Sequence, residues 1–319
     1  MIYRPYRETL KGNALRFYDD VMTGFLLFKN EIHTVNPGSQ ELIERIIYYI
    51  RFDNPLIFYT KNQYSYAFSS TEAIIYMEYT YTKAKAKELE RFCVQEAKKI
   101  IGPSSTTPLQ MEINIHDKLC EKIIYKENGD DSHNIIGVFL RGESVCEGIS
   151  KAAKLCFDFA NLKSTIVICE KMGDSDVGHA WNAVNIGTQW YHLDVTWDNS
   201  YADDYTLNTH NYYNCFNITD KEIEMSRTID MIPNFIKCFS NSMNYHKLYG
   251  LVANDYNQLR EIIKKNLRLK KKAIHVKCSL ELYRNVDKLM DIFLEVGHAF
   301  GVRQVRATGA YGVITFVDF

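Results

Sequence analysis

The 319 residues predict an α+β fold built around one amphipathic helix packed on an antiparallel sheet. Three observations predict it. From Cys146, the apolar or small residues Ile149, Ala152, Ala153, Cys156, Phe159 and Ala160 recur at three- and four-residue steps, so one stripe of a helix faces a core. Thr165 to Cys169 is a β-branched, apolar run bounded by Asn161 and by Gly173-Asp174-Ser175-Asp176, which reads as a buried strand. Two further strand patterns, His179 to Ile186 and Trp190 to Trp197, flank Gly187-Thr188, a pair suited to a type II′ hairpin turn with glycine first.

Taken in order, residues 7–28 carry Leu10, Ala14, Phe17, Val21 and Phe25 at helical spacing, and Ser39 to Tyr49 repeats the pattern. Asp53-Asn54-Pro55 ends that second helix. Strand-like stretches follow at 56–59, 64–69 and 73–80, then a helix over 83–101. Pro103 to Pro108 reads as a linker. Beyond it, 109–125 aligns Ile113, His116, Leu119 and Ile123 on one helix face. After the hairpin, Thr219 and Glu222 form a capping box opening a short helix. The last ninety or so residues alternate a helix near 256–263, a strand at 273–278, a helix over 280–296 and a strand at 311–317. Residues 1–105 are therefore expected as an N-terminal α+β domain, 106–230 as the central core and 231–319 as a C-terminal α/β extension.

The central segment also carries chemistry. Ser144 and Glu147 have capping-box spacing, which places Cys146 in the first turn of its helix. Unpaired N–H groups and the positive end of the helix dipole favour a thiolate there. Glu147 opposes this charge, and Gly148 leaves room for another segment to approach. With Gly187-Thr188 at the turn, Ile186 pairs with Gln189, Trp181 falls opposite Asp194 and His179 opposite Thr196. His179 and Asp194 then share a face as diagonal neighbours, roughly 7 Å apart between backbones. A thiol needs a base, and the base needs a group to orient it. Cys146, His179 and Asp194 are the candidates for these roles. Four other residues compete. His116 sits within a helix, His133 in a polar Asp130-Asp131-Ser132 loop, His192 beside Asp194 on the third strand, and Asp198 at the end of that strand, where solvation is expected.

Val-Cys-Glu-Gly, Gly-His-Ala-Trp-Asn and Trp-Tyr-His-Leu-Asp-Val-Thr-Trp-Asp, in this order, resemble the transglutaminase-like superfamily, in particular its bacterial members. The resemblance runs over about residues 109–225. It implies a papain-like or transglutaminase-like core and a Cys146–His179–Asp194 thiol enzyme acting by acyl transfer, with no metal and no organic cofactor. Members of this group cross-link proteins, cleave peptides, act as peptide N-glycanases or have no activity. Cross-linking members hold the oxyanion with a tryptophan ahead of the cysteine, whereas Trp181, Trp190 and Trp197 all follow it here. Hydrolysis of a peptide or protein amide is therefore the first expectation. Protein-glutamine γ-glutamyltransfer and a catalytically idle binding module are the alternatives. One oxyanion donor should be the backbone N–H of Cys146, and a second is expected from the loop between Tyr125 and Asn134.

Composition narrows the partners. A net charge of −1 gives no overall bias toward nucleic acid or an anionic membrane. The run Lys264 to Lys272 reads as a solvated helix end. No stretch approaches the roughly 18 apolar residues of a membrane span, and residues 1–6 lack a signal-peptide core. A cytoplasmic protein is expected, or a secreted one if a leader preceded this sequence. The eight cysteines include no C-x-x-C pair, so neither a zinc knuckle nor a thioredoxin-type motif is indicated. Tyr201, Tyr205, Tyr212, Tyr213 and Phe216 are candidate walls of a substrate groove.

Overall fold

The computed structural model describes residues 2–102, 107–171, 177–200, 213–310 and 312–319. At the N terminus, α1 (Pro5–Thr9) and α2 (Gly12–Leu27) occupy the single helix expected over 7–28. The break comes at Leu10, whose extended backbone (ψ 149°) ends the first piece. β1 (Glu31–Val35), α3 (Gln40–Asp53), β2 (Thr60–Phe68), β3 (Glu72–Tyr79) and α4 (Lys83–Ile101) complete this region. Its strands form an antiparallel sheet in the order β1-β3-β2. The strand expected at 56–59 is absent, and β1 was not anticipated. Five residues of mixed polarity give too short a pattern to separate from a loop. Most of the linker at 103–108 lies outside the described residues.

The centre holds α5 (Pro108–Lys122), β4 (Ile124–Tyr125), β5 (Glu143–Ser144), α6 (Cys146–Phe159), β6 (Ser164–Cys169), β7 (His179–Ile186), β8 (Gln189–Leu193), α7 (Val195–Ser200), β9 (Phe216–Ile218) and α8 (Asp220–Ile223). Strands β6-β7-β8-β9 make an antiparallel sheet, and α6 packs on it, as the α+β reading expected. Ile186 pairs with Gln189 across the turn, with a positive φ of 70° at Gly187 and none at Thr188, as a type II′ turn requires. The third strand stops at Leu193 instead of Trp197. Asp194 accepts the Trp197 N–H at 3.0 Å and starts α7, so a local cap overrides the β-branched pattern of Val195-Thr196.

A second correction concerns the start of α6. Val145, not Ser144, is its N-cap, and no side chain caps it. The Ser144 hydroxyl instead donates to the Ser132 carbonyl at 2.7 Å, and Ser144 belongs to β5, which pairs with β4. Cys146 still opens the helix. Gly148 is required by packing: a Cβ there would meet Ser144 Oγ at 2.2 Å and the Ser132 carbonyl at 2.4 Å. The segment it admits is therefore 132–134 and not one at the sulfur.

The C-terminal part comprises α9 (Tyr245–Leu248), β10 (Val252–Ala253), α10 (Tyr256–Arg268), β11 (Ile274–Cys278), α11 (Leu280–Tyr283), α12 (Val286–Gly297), β12 (Arg306–Ala310) and β13 (Val313–Val317). It forms its own sheet, β10-β11-β13-β12, with a core around Leu259, Ile263, Val276, Leu289, Phe293 and Phe316. The helix expected over 280–296 divides at Arg284-Asn285.

One hydrophobic cluster runs from α2 and α3 through α4 and α5 into α6 and β8. Tyr6 pins the N-terminal region to the central sheet, donating its hydroxyl to the Ile166 carbonyl at 2.6 Å and stacking on Tyr49 at 4.5 Å. This contact carries α3 to the mouth of the site. No described helix is long and apolar enough to cross a membrane.

Candidate active site

Two elements bring the reactive groups together. Helix α6 begins at Cys146, whose side chain is partly exposed, and β7 begins at His179, which is nearly buried. Asn182, three residues along β7, fixes one to the other: its amide donates to the Ser150 carbonyl of α6 at 3.0 Å and to the Thr165 carbonyl at 3.4 Å. His179 Nε2 meets Asp194 Oδ2 at 2.7 Å, and the ring shares a cleft with Cys146, which adds to the charge acting on it. With Nε2 engaged by the carboxylate, Nδ1 is left for the sulfur. The structure thus brings Cys146, His179 and Asp194 into one array.

Burial pulls the His179 pKa down, but the Asp194 carboxylate and then Cys146 outweigh it and raise the value to about 9. Asp194 is fully buried. Burial alone would lift its pKa, yet His179 and Arg227 hold it below the usual carboxylate range. Arg227 donates to Asp194 Oδ2 at 2.5 Å, and its guanidinium lies 4.7 Å from the Trp181 ring and 5.3 Å from that of Trp197. Sequence reading missed Arg227, because a lone arginine in a loop 33 residues from its partner leaves no periodic signal.

Glu147 does not oppose the sulfur as its position in sequence suggested. Lys151 Nζ lies 2.6 Å and His133 Nδ1 3.1 Å from its carboxylate. Despite burial, these two cations hold its pKa down at about 2. His133, expected as a solvated loop residue, is therefore tied to Glu147 and also to Glu127, at 2.9 Å.

Tyr125 is the other residue at the sulfur. The parallel pairing of β4 with β5 sets Tyr125 beside Ser144, two residues before Cys146. Its hydroxyl lies near enough to Cys146 for that residue to shift its ionisation. Burial first, and then Cys146, push its pKa up to about 12. Tyr125 stands at the start of the segment from which a second oxyanion donor was expected, and the short strand positions it.

The rival residues have other partners. His116 is fully buried, with Nδ1 2.9 Å from Asp117 and Nε2 3.2 Å from Asp198. Asp198, expected to be solvated, is buried and also accepts the Cys215 N–H at 2.9 Å. Together they fasten α5 to α7 just behind Asp194. His192 Nδ1 accepts the Trp181 indole N–H at 3.0 Å, and Nε2 faces Asp220 at 2.9 Å. Trp181 in turn stacks on His179, with ring centroids 5.8 Å apart and planes at 17°.

His192, Asp220 and Cys238 also have potential ligand atoms within 4.8 Å of one another. An indole N–H can only donate, so Nδ1 must be unprotonated and the proton of a neutral ring sits on Nε2, facing Asp220. A metal on Nε2 would move that proton to Nδ1, against the indole. Asp220 moreover accepts the Cys238 N–H at 3.2 Å. The trio therefore fits a hydrogen-bonded brace behind Trp181 better than a metal centre.

A cleft of about 400 Å³ leads to Cys146 and His179. Tyr48 and Phe52 of α3, Ile168, Ala180 and Met231 give it apolar walls, and Glu147 and Glu170 add charge. Tyr213 and Phe216, expected as groove walls, pack instead on His116. Tyr201, Tyr205 and Tyr212 lie outside the described residues.

Residues 95–195 match the family model of the Transglutaminase-like superfamily, and the mixed helix-and-sheet architecture is consistent with that fold. A solved structure described as that of a TGase is similar at 16% identity and a TM-score of 0.30, over 43% of this chain. The match spans 44% of that other chain, less than half its length. No curated protein gives a significant match to the sequence.

Proposed function

We propose that the protein is a cysteine acyl-transfer enzyme that hydrolyses an amide bond in a peptide or protein. The observation that carries this reading is His179, bonded to Asp194 and lining the same cleft as Cys146. In the first step the Cys146 thiolate attacks the carbonyl carbon. The carbonyl oxygen becomes an oxyanion beside the Cys146 N–H and the Tyr125 hydroxyl, the two donors suited to stabilise it. The C–N bond then breaks as His179 gives its proton to the leaving amine. Water, deprotonated by His179, attacks the resulting thioester and releases the acid and the thiolate. Asp194 fixes the imidazole and stabilises its charged form.

Tyr125 stands where cross-linking relatives place a tryptophan donor and would serve acyl transfer to water or to an amine alike, so the preference for hydrolysis rests on the absence of that tryptophan. The apolar walls made by Tyr48, Phe52, Ile168 and Met231 suit an amide flanked by an aromatic or aliphatic side chain. The test is to profile wild type and Cys146→Ala against a peptide library with and without a primary-amine donor. Amide cleavage by wild type alone supports the reading. Amine incorporation into glutamine would replace it with γ-glutamyltransfer. No turnover, together with no labelling of Cys146 by iodoacetamide at pH 6, would leave a binding module.

A further inference from the structure

Away from the cleft, four aromatic rings form a column that runs from the buried centre to the surface. His116 stacks on Tyr213 at 5.0 Å, Tyr213 lies flat on Tyr245 at 3.6 Å with planes at 3°, and Tyr245 meets Tyr249 at 4.5 Å. The inner end is fixed, because the Tyr213 hydroxyl donates to Asp117 at 2.9 Å. The outer end is open: Tyr249 is 49% exposed. It stands at a cavity of about 560 Å³ whose rim carries Lys265, Lys270, Lys271 and Lys272. None of these four lysines has a carboxylate partner among the described residues.

The end of α10 accounts for part of this charge, since cations near a helix C terminus are favourable. It does not account for the rest. Lys270 takes a left-handed backbone, φ 54°, at the position after a helix where glycine or asparagine is the usual choice. Lys271 and Lys272 lie beyond the helix, and the stacked tyrosines belong to other elements. Four like charges around one cavity repel each other, and a ligand carrying several negative charges would relieve that repulsion. A planar ring on the same ligand would extend the column from Tyr249.

We propose that this cavity binds a nucleotide, an aromatic base carried on a phosphate chain, with the base against Tyr249 and the phosphates among Lys265, Lys270, Lys271 and Lys272. Base stacking on an aromatic side chain and lysine–phosphate attraction are the two terms such a ligand combines. The chemistry is shared by free nucleotides and by single-stranded nucleic acid. The overall charge of −1 conceals it, because the cluster is local.

Calorimetric titration of the full chain at low salt, with ADP, adenosine, inorganic tripolyphosphate and oligo(dT) of eight nucleotides, tests it. ADP or the oligonucleotide should bind, and more weakly as salt rises. Tyr249→Ala should weaken binding about tenfold while Tyr249→Phe retains it. The double variant Lys270→Glu, Lys271→Glu should also weaken it about tenfold, with each variant's melting curve checking that it is folded. Tighter binding of the oligonucleotide than of ADP identifies a nucleic-acid strand as the source, and the reverse a free nucleotide. No binding of either overturns the proposal. So does tripolyphosphate binding as tightly as ADP with Tyr249→Ala inert, which would leave a bare anion patch.

Discussion

Besides the brace at His192, Asp220 and Cys238, two clusters of one cysteine, one histidine and one aspartate in the described residues differ in almost everything except their residue types. In the first, His179 bonds to Asp194 and shares the cleft with Cys146, whose sulfur opens to it from the first turn of α6. In the second, His116 contacts Asp198 at 3.2 Å and Cys120 at 3.7 Å. Cys120 lies in the last turns of α5, where the helix dipole disfavours a thiolate, and burial pushes its pKa up. His116 has no exposed surface, and both of its nitrogens are engaged. A shared inventory therefore does not make a shared chemistry. Helix end, access and the free valence of the imidazole decide which set can act.

The sharpest way to break this contrast is to remove each sulfur in turn. Cys146→Ala should lower amide cleavage at least about a thousandfold, while Cys120→Ala should stay within about twofold. Assays of the two purified variants on one peptide substrate check this, and equal losses would erase the distinction. Tyr125→Phe comes next. Loss of one oxyanion donor should cost about a hundredfold in kcat with KM little changed. Its labelling by iodoacetamide at pH 6 should stay at the wild-type level, which separates the role from thiolate activation.

Arg227→Met leaves Asp194 with one cationic partner instead of two. Breaking a buried ion pair costs about 3–5 kcal/mol, so the melting temperature should fall by about 5 °C. An unchanged melting curve would show that the guanidinium contributes nothing net there. The pH dependence gives a subtler readout. His179 has a folded pKa of about 9, above its ordinary value of 6.5, so its stabilising contribution is complete below about pH 6.5 and is lost as pH rises through 9. Glu147 runs the opposite way. Lowered to about 2 from 4.5, it stabilises above about pH 4.5 and loses this as pH falls toward 2. Thermal melts from pH 3 to 10 should show both limbs, with His179→Gln flattening the alkaline one. The smallest effect is expected at the brace: chelation by EDTA should leave the melting temperature unmoved, and a drop would reveal a metal at His192, Asp220 and Cys238.

Much of this arrangement was legible in the residues themselves. The stripe beginning at Cys146, the β-branched run at 165–169 and the Gly187-Thr188 turn are local patterns, and the helix, strand and hairpin register followed from them. The turn alone fixed the pairing from Ile186 with Gln189 to Asn182 with Leu193; beyond it the expected pairing of His179 with Thr196 gives way to α7, while His179 still bonds to Asp194. Less visible was whatever depended on competition between nearby partners. Ser144 has the spacing of a cap, but the Ser132 carbonyl takes its hydroxyl. Val195-Thr196 has the look of a strand, but the Asp194 carboxylate starts a helix.

By itself, then, the sequence determined the periodic elements, the order of the three motifs and the candidacy of Cys146, His179 and Asp194, because those rest on spacing along the chain. Tertiary structure alone decided that Arg227 would neutralise Asp194, that β4 would set Tyr125 beside Ser144 ahead of the cysteine, that Lys151 and His133 would quench Glu147, and that His116 would be sealed away. The reason is physical. Burial and charge pairing act through space between segments dozens of residues apart, and no periodicity in the chain encodes which distant side chain will fill a given low-dielectric site.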